Sequence, residues 1–105
     1  MYYSNLISGG GPYEAQYKAI RAYLFSLGSD VHEEKREPYI LFERGNEGFL
    51  RLYIHDNRDS KGIWARIKRT GSAVSNADAR EEEVSTEDQL ESAKKHIQNA
   101  YEDSR

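Results

Sequence analysis

The chain contains no cysteine, which excludes disulfides and thiolate metal sites. It has two prolines and one tryptophan, so the chain has few forced breaks and a single indole. No apolar run approaches the length of a membrane span, and no membrane partner is expected. The opening residues, Met1-Tyr2-Tyr3-Ser4-Asn5-Leu6-Ile7-Ser8, lack a basic segment leading into a long apolar one. No signal peptide is expected from them, and a cytoplasmic setting is the default.

What is present is a wet but patterned sequence of 105 residues, 37% hydrophobic and 31% charged, with a mean hydropathy of −0.90. Its apolar residues are clustered periodically, so it reads as one folded, very soluble domain with a single core. The net charge of −3 conceals a segregation. Residues 49–71 carry +4 (six positive, two negative), whereas 30–48 carry −3 and 72–105 carry −5. A generic nucleic-acid binder has an overall positive excess, which this chain lacks. A local basic patch still attracts anions, because screening confines each charge to about 8–10 Å.

Gly9-Gly10-Gly11-Pro12 marks residues 1–11 as a flexible arm and 12–105 as the domain, with Pro12 at a helix N1 position. Tyr13, Tyr17, Ile20, Leu24 and Leu27 then recur at helical spacing, and Gly28 supplies a left-handed stop. Ser29 to Glu37 reads as a charged connection. Three strands are expected at 39–44, 49–55 and 63–69, with polar turns between them, and Ala79 to Val84 as a charged fourth strand at a sheet edge. Thr86 and Gln89 form a capping-box pattern, followed by the stripe Leu90, Ala93, Ile97, Ala100 and Tyr101. The expectation is an α+β, two-layer domain: N-terminal helix, three- to four-stranded antiparallel sheet, C-terminal helix, both helices on one sheet face.

The central hairpin carries the functional signal. Leu50, Leu52, Ile54, Ile63, Ala65 and Ile67 share one parity, and successive strand residues point to opposite faces. The other parity carries Phe49, Arg51, Tyr53, Trp64, Arg66 and Lys68. Such a face docks a protein partner or a second copy of the chain, since aromatic and arginine residues suit interfaces. The alternative is a single-stranded nucleic-acid or nucleotide binder, with bases stacked on the rings and cations tracking phosphates. A bland reading has the rings covered within the chain by Tyr2, Tyr3, Leu6 and Ile7.

The order and spacing of several segments resemble a family of small bacterial and archaeal domains of unknown function. They are labelled "predicted transport protein" and are commonly fused behind restriction-endonuclease-like modules. The matching segments are Leu27-Gly28-Ser29-Asp30-Val31, Tyr39-Ile40-Leu41-Phe42, the amphipathic hairpin, Ser85-Thr86-Glu87-Asp88-Gln89-Leu90 and Ile97-Gln98-Asn99-Ala100-Tyr101-Glu102. The resemblance spans about residues 15–103. It implies an α+β fold and a nuclease- or defence-associated setting, and it supplies no catalytic residues.

No enzymatic role and no cofactor are expected. His32, His55 and His96 form no i, i+4 pair, so metal-ligand spacing is absent. Glu33-Glu34-Lys35 lacks the partner carboxylate of a nuclease site. The triple glycine lacks the Lys-Ser/Thr of a P-loop, and Pro12 removes a donor. A hydrolytic site around His55, Asp56 and Asp59 ranks last, because polar turns have that composition anyway.

Overall fold

Seven elements follow one another in the computed structural model, which describes residues 3–104. They are α1 (Glu14–Ser26), β1 (Val31–Lys35), β2 (Tyr39–Arg44), β3 (Glu47–Asp56), β4 (Lys61–Ile67), β5 (Arg80–Glu83) and α2 (Glu87–Asp103). The strands form one antiparallel sheet in the order β1-β2-β3-β4-β5. Every connection between strands joins sheet neighbours: short turns link β1 through β4, and the longer loop 68–79 leads from β4 to β5.

Parity decides the core. Ile40, Leu52 and Ala65 make one cross-strand row, and Phe42, Leu50 and Ile67 make the next. Tyr17, Ile20 and Leu24 of α1 and Leu90, Ala93, Ile97, Ala100 and Tyr101 of α2 join the same buried cluster. Both helices therefore cover one side of the sheet, and each large aliphatic buried there contributes about 1.5–3 kcal/mol. The capping box at α2 is formed: Gln89 N donates to Thr86 Oγ1 at 3.2 Å, and Thr86 N donates to Gln89 Oε1 at 3.1 Å. It satisfies two otherwise orphaned donors at the helix start.

Three sequence expectations are corrected. The segment Ser29 to Glu37 contains a strand, β1, in place of a plain connection. Its inward-facing Glu33 is tolerated because the Tyr17 hydroxyl donates to it and Arg21 Nε approaches Glu33 Oε1 at 2.9 Å. Burial first, and the bond to Glu33 second, push the Tyr17 phenol far above its ordinary range.

Gly28 is not a left-handed stop, since its φ is not positive. A Cβ there would collide with Tyr101 Oη, which donates to Asp30 Oδ1 at 2.5 Å. Arg44 Nε donates to Asp30 Oδ2 at 2.9 Å, closing a link between α2 and the start of β1. Tyr101, then Arg44, hold the Asp30 carboxyl below its usual range.

The described part of the expected flexible arm, residues 3–11, is packed against the domain. Tyr3 and Ile7 belong to the core cluster, and Tyr3 Oη donates to the Arg36 carbonyl at 2.5 Å. Tyr3 and Ile7 thus close the core, while Leu6 packs against it and lines a cavity with Tyr53. Tyr2, grouped with them in the bland reading, lies outside the described residues.

Candidate interaction surface

On the side of the sheet away from the helices, strand register builds two adjacent rows. Tyr39, Tyr53, Trp64 and Glu83 stand opposite one another across β2, β3, β4 and β5. Leu41, Arg51, Arg66 and Glu81 make the next row. Directly opposed side chains on one sheet face are close enough to interact. The Tyr39 and Tyr53 rings lie 5.5 Å apart, and the Arg51 guanidinium sits 4.4 Å from the Tyr39 ring centre. Arg51 also approaches the Tyr53 hydroxyl at 3.4 Å. Tyr39, Arg51, Tyr53 and Trp64 are all half-buried, and Trp64 is not part of the core cluster that holds Leu24 and Ile97.

Of the six residues expected on this face, four are there: Arg51, Tyr53, Trp64 and Arg66. Phe49 and Lys68 are not. A bulge shifts the β2–β3 register, so that Phe42 pairs with Leu50 and Glu43 with Gly48, leaving Phe49 as the extra residue. Its ring turns to the helix side, where it is 0% exposed and meets Tyr101 edge-on at 5.6 Å. Lys68 N donates to the Phe49 carbonyl at 3.2 Å, just beyond the end of β4. The Lys68 side chain is 6% exposed, with Nζ 2.9 Å from Asp103 of α2 and 3.7 Å from Glu47.

Arg66 is present but occupied. Its Nε donates to the Val74 carbonyl at 2.9 Å, one terminal nitrogen to Glu81 at 2.9 Å and the other to the Asn76 carbonyl at 2.5 Å. These bonds draw the β4–β5 loop over one end of the face. Val74 is buried there, and a Cβ on Gly48 would come within 3.3 Å of Val74 Cγ1 and 3.1 Å of Leu41 Cδ1. Replacing Arg66 with lysine removes the planar fork that reaches three acceptors at once. Arg66→Lys is expected to cost about 1–3 kcal/mol and to speed amide exchange across residues 72–79. Unchanged exchange in that loop, read by mass spectrometry, contradicts the clamp.

What remains uncovered is a strip of three rings with one stacked arginine. Trp64 Nε1 and Arg51 Nε are buried without a hydrogen-bond partner among the described residues, an uncommon condition for donors in folded proteins. Beside the strip lies a cavity of about 190 Å³ lined by Tyr53, His55, Ser60, Trp64, Arg66 and Glu81.

Tyr39 was missed because its strand is apolar at both parities, and only the hairpin register shows which parity faces outward. His32, His55 and His96 stay apart on β1, β3 and α2. Among the described residues, no group of three His, Asp or Glu side chains converges as a metal-ligand set. Also among them, no helix is long and apolar enough to cross a membrane. Comparison with family models, curated proteins and solved structures finds no match to this chain.

Proposed function

We propose that the chain is a non-catalytic interaction domain that self-associates through the Tyr39–Tyr53–Trp64 strip and Arg51. The observation that carries this reading is the fate of the cations. Three were expected beside the rings, yet Arg66 is spent on its own loop and Lys68 on Asp103 and Glu47. Only Arg51 remains, and the rows end in Glu81 and Glu83. A phosphate backbone would meet one arginine, the Arg66–Glu81 pair and Glu83, which offers little of the positive charge that nucleic-acid binding depends on. The dimer of this proposal sets the Arg51 of one chain against the acidic flank of the other, the self-complementarity that an isologous interface requires. The charged edge strands, β1 and β5, discourage association by edge pairing. A nuclease- or defence-associated setting belongs to the same proposal and rests on the resemblance in sequence alone.

The test is light scattering over a concentration series, with melting curves as the control. The native chain is expected to approach twice 12.1 kDa, and Trp64→Ala with Tyr53→Ala to run as a folded monomer. A native chain that stays monomeric at high concentration overturns the reading, as does a double variant that still dimerises. Quenching of Trp64 fluorescence by short single strands, weakening as salt rises, assigns the strip to nucleic acid instead.

A further inference from the structure

A second concave site lies on the other side of the molecule, where the chain leaves β4 and passes the middle of α2. We propose that it binds an oxyanion of the phosphate class. The cavity measures about 360 Å³, and its lining includes Lys68, Arg69, Thr70, Arg80, His96 and Asn99. Every charged residue in that lining is a cation, and Thr70 and Asn99 add neutral donors.

The local structure gathers these groups from three directions. Lys68 and Arg69 follow β4 directly. Arg80 opens β5 opposite Ile67 of β4. His96 and Asn99 stand three residues apart on α2, and so share one face of it.

Carboxylates stand behind these groups and orient them. Asp103 at 2.9 Å and Glu47 at 3.7 Å already neutralise the buried Lys68 ammonium, so Lys68 shapes the wall and the charge offered to the anion is that of Arg69 and Arg80. Glu82 Oε2 lies 2.7 Å from His96 Nδ1, fixing the imidazole and turning Nε2 away from the carboxylate. Both of those atoms are buried. Arg80 Nε is 3.8 Å from Glu82, outside hydrogen-bond range, so this contact leaves its donors available. Arg69 engages the Asp78 carbonyl through Nε at 2.5 Å. Its planar fork matches phosphate geometry. The volume accommodates a phosphate together with part of a group esterified to it.

The experiment follows the His96 imidazole and the amides of residues 68–70 by NMR, at constant ionic strength balanced with chloride. Inorganic phosphate and a nucleoside 5′-monophosphate are titrated separately into the native chain. Saturable shifts at these nuclei are expected. Tighter binding of the monophosphate identifies an esterified ligand, and equal binding identifies free phosphate. Arg69→Gln with Arg80→Gln should weaken affinity at least about tenfold, the loss expected for charge-assisted bonds. Should the double variant not fold, each single variant is read alone and should weaken binding about threefold or more. The proposal is overturned if neither anion gives saturable shifts, or if the variants bind as tightly as the native chain. Dimerisation through the ring strip is unaffected by either result, so the two proposals fail independently.

Discussion

Replacing Phe49 with alanine is expected to destabilise the domain by about 3–5 kcal/mol. Strict alternation puts this ring on the outer face beside Arg51, where its loss would cost well under half of that. The bulge at Phe42/Glu43 instead turns it into the helix layer, fully buried against Tyr101. Truncation there removes transfer free energy and leaves a cavity between β3 and α2, and the edge-on ring pair is lost as well. Urea unfolding measures the loss directly, with the slope unchanged if only stability has shifted. Trp64→Ala serves as the internal comparison, because the indole stands outside that core. A Phe49 variant no less stable than the Trp64 variant contradicts the bulged register.

The second large effect concerns the first residues. Tyr3→Ala combined with Ile7→Ala is expected to leave the domain largely unfolded. Tyr3 is 1% and Ile7 is 4% exposed, and the tyrosine hydroxyl bonds the Arg36 carbonyl. Each truncation costs about 2–5 kcal/mol, against a total stability of about 5–15 kcal/mol for an ordinary domain. Circular dichroism and a thermal melt decide the matter. A double variant that melts like the native chain means residues 3–11 are the loose arm their glycines suggest.

These two effects fall where sequence reasoning fails, and for physical reasons. The aliphatic parity of the central hairpin and the capping box of α2 are legible because each is a local pattern with one geometric solution. A bulge adds one residue without leaving a compositional mark, so parity is correct from Leu50 through Ile67 and fails at Phe49 and Lys68. β1 is hidden because Val31 is its one apolar residue, and Glu33 faces inward only by virtue of Tyr17 and Arg21, distant in sequence. The candidate surface shows the same division. Tyr53 and Trp64 are readable as neighbours across a hairpin. The engagement of Arg66 by carbonyls of the following loop is a tertiary event. That event changes the chemistry of the surface more than its shape, because it withdraws the cation that made nucleic acid attractive. The gathering of Lys68, Arg69, Arg80 and His96 around one cavity likewise depends on β4, β5 and α2 meeting.

The most direct measurement is an isotope-filtered NOE experiment on a mixture of labelled and unlabelled chains. Contacts are predicted between the Trp64 indole of one copy and the Tyr39 or Tyr53 ring of the other. Intermolecular contacts confined to other surfaces, or none in a sample that sediments as a monomer, contradict a sheet face reserved for a second copy.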